Sequence, residues 1–259
     1  GLNRRQMIEN YEKFLGNSSA VNFGVIDGQL DFLGNESAQG MTLKVPEIPE
    51  YSQRKLLAME KEATGIYLSG NPLAEYEYIS SLMKTRKIAD ISANVREGET
   101  VRLLCLVQNK KIHSLRNKSE KMCFLEISDG TGEIDAVVFP DLYAESADFL
   151  NADNIILVTG KVSVKDENIS VVCSSIVREE GFSAMTADMK LCIITDGQLV
   201  SDDLLKICRD FSGSTQVVFY LRNARKTVLP KSRISVDINA ESFLQLEKIY
   251  NKADMGLIR

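Results

Sequence analysis

From Lys121 to Pro140, apolar and polar residues alternate on both sides of Asp129-Gly130-Thr131-Gly132. A period of two marks a half-buried strand, and the glycines supply the backbone freedom of a tight hairpin turn. Upstream, Val101, Leu103, Cys105 and Val107 share one face of a strand-like run from Thr100 to about Lys111. Downstream, the spacing changes to a helix over 140–150 that turns Leu142, Tyr143, Ala147 and Leu150 to one side. Two further strands follow, 155–164, with Gly160 as a bend or bulge, and 169–176. Three strands, a helix, then two strands is the order of a five-stranded OB-type barrel, placed here at 98–177. That fold is often used to hold single-stranded nucleic acid.

Helical spacing frames the barrel. Residues 1–16 read as a short amphipathic helix, with Asn3 as cap, Gly16 as stop, and Met7, Ile8, Tyr11, Phe14 and Leu15 on one side. Periodicity disappears over 17–50, a linker interrupted by the apolar island Gln29-Leu30-Asp31-Phe32-Leu33. Residues 51–97 form a helical connector. Its first helix lies between Ser52 and Gly65, its second opens at Pro72 and runs to about Arg86, and residues 88–97 are a connector. After the barrel, 178–188 is polar and reads as a second linker. Residues 189–259 then predict a small α+β unit: strand 191–194, helix 202–211, strands 216–221, 227–229 and 234–238, and a closing helix 241–251. The fold class expected is mainly β with α, an OB-type barrel preceded by helices and followed by a small α+β domain.

Composition narrows the chemistry. The chain has 259 residues, 44% of them hydrophobic, enough for a packed core. A net charge of −5 means that any phosphate-binding surface must be a local patch. The five cysteines form no CxxC pair and each sits in an apolar run, as reduced core cysteines of a cytoplasmic protein do. No apolar run is long enough to span a bilayer, so no membrane partner is expected. The chain opens at Gly1-Leu2 without an initiator methionine and reads as a piece of a larger protein. Its single histidine, His113, sits in a lysine-rich stretch, and no HExxH, GxSxG or P-loop occurs. No catalytic residue, metal site or cofactor is therefore assigned.

Binding chemistry is better represented. Residues 109–121 join strands one and two, and set Lys110, Lys111, Arg116, Lys118 and Lys121 against the single acid Glu120. Such a field suits phosphates, and His113, Phe124 and Phe139 offer flat faces for bases. The alternative is a solvated charge run, with Phe124 and Phe139 in the core. Asp129 reads as a turn carboxylate bonding its own backbone. The island Gln29, Leu30, Asp31, Phe32 and Leu33 reads as a docking peptide; the alternative is a local anchor folding back on its own domain.

Three stretches resemble the bacterial DNA polymerase III α subunit, the C-family replicative polymerase. Residues 60–73 are similar to its EKE-x-x-G-x-Y-L-S-G-H-P-L signature, with Asn71 where the family has His. Residues 122–140 are similar to its OB segment. Gly28 to Gly34 is similar to its internal sliding-clamp motif, with Phe32-Leu33 in place of the commoner Leu-Phe order. The resemblance implies a noncatalytic C-terminal part of such a subunit. It would bind single-stranded DNA through the barrel and the sliding clamp through residues 29–33, and 189–259 could meet the clamp-loader τ subunit. It places the magnesium-loaded palm of the parent polymerase upstream, outside this chain. Two other readings stay open: an RNA-binding OB module of the tRNA-synthetase kind, and a protein-interaction scaffold without nucleic acid. The terminal unit is expected to fold separately and to meet a protein rather than DNA, because Arg222, Arg225, Lys226, Lys231 and Arg233 cluster around one hairpin while acids spread elsewhere.

Overall fold

The structure, a computed structural model, describes residues 1–15, 45–114, 120–166, 168–197 and 199–259. The chain divides into two compact units, Gly1–Pro72 and Leu73–Arg259.

In the first unit, α1 spans Arg4–Glu9, and Asn3 caps it through a reciprocal box with Gln6. Residues 11–15 are helical again. The expected apolar side is not the buried one. Met7, Ile8 and Tyr11 are exposed, whereas Gln6 and Asn10 are buried. The Gln6 amide donates to the Pro46 carbonyl and that of Asn3 to the Ile48 carbonyl. This helix is therefore held by amide bonds to a passing stretch of chain, which hydrophobic spacing does not register. Helix α2 (Gln53–Thr64) starts at Ser52, whose hydroxyl accepts from Lys55 N, and stops at Gly65 with φ 83°. Glu60 on α2 accepts from the amides of Ser69 and Leu68 and from the Ser69 hydroxyl. These donors hold its carboxyl below the ordinary glutamate range, the Ser69 amide foremost, against an opposing desolvation.

The second unit begins within a short 3₁₀ turn, Pro72–Tyr76, that leads into α3 (Glu77–Met83). Helix α3 ends at Lys84, in the left-handed region at φ 53°, two residues before the expected stop. Residues 88–97, expected as a connector, contain a further helix, α4 (Ile88–Ala93). The barrel follows: β1 (Thr100–Ser114), β2 (Lys121–Ser128), β3 (Glu133–Val138), α5 (Pro140–Ser146), β4 (Ile155–Lys165) and β5 (Asn168–Arg178). The strands close in the order β1-β2-β3-β5-β4, through a parallel pairing of β3 with β5. This is the OB barrel read from the sequence.

Its core takes the predicted face of β1, Val101, Leu103, Cys105 and Val107, together with Leu125, Ile127, Ile134, Val158 and Val171. Cys105, Cys123 and Cys173 lie within it, and burial pushes the Cys173 thiol up to about 12. The β2–β3 turn does more than turn. Asp129 is buried and accepts from Thr131 N at 2.9 Å, from the Thr131 hydroxyl at 2.6 Å and from Ile88 N, the first residue of α4, at 3.0 Å.

Residues 178–188, expected as a polar linker, are a 3₁₀ turn at Glu179–Gly181 and a helix, α6 (Phe182–Ala187). Phe182 is fully buried and meets Tyr76 edge-on at 5.6 Å. One large apolar side chain, diluted among polar neighbours, is enough to anchor the segment. Beyond it lie β6 (Lys190–Thr195), α7 (Asp202–Asp210), β7 (Thr215–Leu221), β8 (Lys226–Val228), β9 (Ser235–Val236), α8 (Ala240–Glu247) and β10 (Met255–Ile258). The sheet runs β10-β6-β7-β8, with β9 also on β7. Strand β10 has no counterpart in the sequence expectation; four residues containing Gly256 give too little alternation to read. The barrel and this sheet belong to one compact unit, and α3 packs against both β1 and β10.

Candidate nucleic-acid interface

Strand β1 runs past its expected end to Ser114, so the first part of the basic stretch is strand rather than loop. Register shifts between Val107 and Asn109, and beyond that bulge β1 continues paired with β2 as far as Ser114 opposite Lys121. The ribbon places Asn109, Lys111 and His113 on one face, opposite Glu126, Phe124 and Met122. Lys110, Ile112 and Ser114 take the other face, opposite Leu125, Cys123 and Lys121.

The structure therefore divides the expected set. Lys111, His113 and Phe124 come together, with the His113 ring edge-on to Phe124 at 5.2 Å. Lys110 lies on the opposite face, where its ammonium donates to Asn151 Oδ1 at 2.8 Å, and Lys121 belongs to that face too. Arg116 and Lys118 lie outside the described residues, as do Gln29, Leu30, Asp31, Phe32 and Leu33. Phe124 is half-buried, and Phe139, at 51% exposure, is not a core residue. Phe139 stands at the N-cap of α5, one residue past buried Val138, so the alternation of β3 sends its ring outward.

A shallow cleft of about 220 Å³ opens on the Phe124 face, lined by Asn109, Lys111, Phe124, Leu125, Glu126 and Asp135. Glu126 and Asp135 are directly opposite one another across β2 and β3. Both are exposed, and neither side chain has a hydrogen-bond or ion-pair partner among the described residues. Like charges in register cost stability, and they repel phosphate. Counting charges along the basic stretch misses this pair; alternation on β2 and β3 reveals it. The cleft thus offers a flat ring and a cation at one end and two acceptors at the other.

Among the described residues, no group of three or more His, Cys, Asp or Glu could hold a metal ion. No helix there is long and apolar enough to cross a membrane.

A family described as the OB-fold nucleic acid binding domain (tRNA anti-codon) matches residues 106–178. The DNA polymerase III α subunit of Bacillus subtilis is 28% identical over 261 residues, covering 99% of this chain and 23% of that protein. The chain is a relative of the DNA polymerase III α subunits. The α subunit of Treponema pallidum is 35% identical over 133 residues, covering 51% of this chain and 11% of that protein. The chain spans about a fifth to a quarter of the α subunits it matches over most of its own length. Among solved structures, a replication protein A domain from Methanococcus maripaludis is 18% identical, covers 37% of this chain and 94% of that one, and has a TM-score of 0.29.

Proposed function

We propose that this chain is a noncatalytic part of a DNA polymerase III α subunit that holds single-stranded template DNA. The observation that carries this reading is the half-buried Phe124, set in an open cleft with Lys111 and beside His113 on the outer face of the barrel. Bases stack on an aromatic ring whatever their sequence, and cations along the ribbon follow the phosphates. The acid pair confines the phosphates to the ribbon side of the cleft. The parent would extend DNA in a palm domain that this chain does not include, and magnesium would serve there.

The test is the salt dependence of binding to a single-stranded oligonucleotide. Each phosphate contact on a single strand contributes about −0.7 to the log–log slope. Replacing Lys110, Lys111, Arg116 and Lys118 with Ala is expected to remove most of the slope. Glu126→Gln with Asp135→Asn is expected to strengthen binding, since each exposed charge contributes about 0.2–1 kcal/mol. An unchanged slope in the quadruple variant overturns the reading. The tRNA anti-codon label of the matching family favours one alternative, an RNA ligand. A single-stranded RNA arm, bound more tightly than DNA, would favour it.

We also infer that Gln29 to Leu33 tethers the chain to the sliding clamp. A tether raises the effective concentration of a polymerase at the primer end without adding contacts there. Phe32 and Leu33 would be the anchors, each contributing roughly 1.5–3 kcal/mol on burial. Calorimetry of the full chain against purified clamp should give micromolar affinity, about −8 kcal/mol. Phe32→Ala with Leu33→Ala should abolish the heat, and equal affinity in that variant refutes the assignment. The partner of residues 189–259 includes a protein on this reading, and the clamp-loader τ subunit is the candidate.

A further inference from the structure

The second sheet carries a charge pattern that neither the barrel nor the clamp peptide uses. From Arg222 to Val236 the chain lies along one outer edge of the sheet, as β8 and β9 against β7. Those fifteen positions hold five cations and no acid, in a chain whose net charge is −5. Arg222 is neutralised, bonded to Asp196 at 3.3 Å and Asp254 at 2.8 Å. Arg225, Lys226, Lys231 and Arg233 are all exposed, and none of their side chains has a hydrogen-bond or ion-pair partner among the described residues.

We propose that this edge is a second nucleic-acid contact, which meets the phosphate backbone and reads no bases. It adds a backbone contact to a unit expected to meet only protein. The seven residues of β7 set its length at about 20 Å, and phosphates follow one strand of a duplex every 3.4 Å or so, so about six face the four cations. An acidic peptide fits less well. It would add as a strand, but β8 has only three residues and Pro230, just beyond it, has no N–H to offer. Between Val228, opposite Phe219, and Ser235, opposite Gln216, the chain leaves the ladder. That excursion carries Lys231 and Arg233, which suits long flexible cations reaching for a backbone. A plain solvated edge that discourages strand pairing would show the same lysines but bind nothing.

The experiment uses the full chain and a 20-base-pair duplex, with the barrel residues left intact. Wild type is expected to bind with a salt slope that falls by about 3 to 3.6 in the Arg225→Ala, Lys226→Ala, Lys231→Ala, Arg233→Ala variant, at −0.9 per phosphate. A Lys226→Arg, Lys231→Arg variant should keep the slope, which separates charge from a local change of fold. An unchanged slope in the alanine variant overturns the proposal. So does a variant that loses binding to a poly-glutamate peptide and not to the duplex. Neither result touches the barrel reading, whose own variant leaves this edge unaltered.

Discussion

Gly160→Val is expected to unfold the barrel, or to cost it more than about 4 kcal/mol, the range reserved for a few severe mechanisms. Register shifts between Thr159 and Gly160, where β5 carries Ser174 as an extra residue while β4 stays in unbroken register with β1. A β-carbon at Gly160 would collide with the Val172 carbonyl oxygen and stand 2.6 Å from Val171 Cγ1. The first of these neighbours is backbone in a ladder and cannot move without breaking pairs. Val171 is itself in the core, so it has no room to give. Even alanine should cost about 1–3 kcal/mol, the usual range for overpacking. The chain has no tryptophan, so circular dichroism during urea unfolding is the natural probe. An alanine variant within about 0.5 kcal/mol of wild type, the scatter of neutral surface changes, would show that the bulge is not what closes the barrel.

Asp129→Ala is expected to cost about 2–4 kcal/mol, from a lost cap and from buried donors left unpaired. Lys87 precedes α4 without a side-chain cap, and Asp129 supplies one to Ile88 from 41 residues away in sequence. The Thr131 hydroxyl extends the same service to Ala89 N at 3.3 Å. Gly132 allows the approach, since a β-carbon there would press on Ile88 Cγ2 at 3.2 Å. Asp129→Asn keeps one acceptor oxygen and should cost less than alanine. Hydrogen exchange should show the Ile88 and Ile91 amides losing protection first. A loss below about 0.5 kcal/mol in Asp129→Ala would reduce Asp129 to an ordinary turn residue.

The barrel was legible because alternation about the Asp129–Gly132 turn marks β2 and β3, and the apolar runs of β1, β4 and β5 fall in the order that fold needs. Asp129 was half legible: its bonds to Thr131 are local, while its bond to Ile88 depends on where α4 lies. Lys110 and Lys111 are adjacent in sequence and read as one cluster, yet adjacency on a strand sends them to opposite faces. Phe182 is lost among polar neighbours, and nothing in apolar spacing marks Gln6 and Asn10 as buried. Hydrophobic spacing reports surfaces that avoid water. It is silent on polar groups buried because they find partners.

Helix α3 has a mechanical consequence. It touches the first strand of the barrel and the last strand of the second sheet, and Lys84 at its end donates to the carbonyls of Lys252 and Ala253. A pull applied to the terminal sheet would reach β1 through a seven-residue strut, with no slack to take up. Synthesis from the N-terminal end has a matching cost. The strut is made early, but its second abutment, Met255–Ile258, is made only after the whole barrel and the rest of the second sheet.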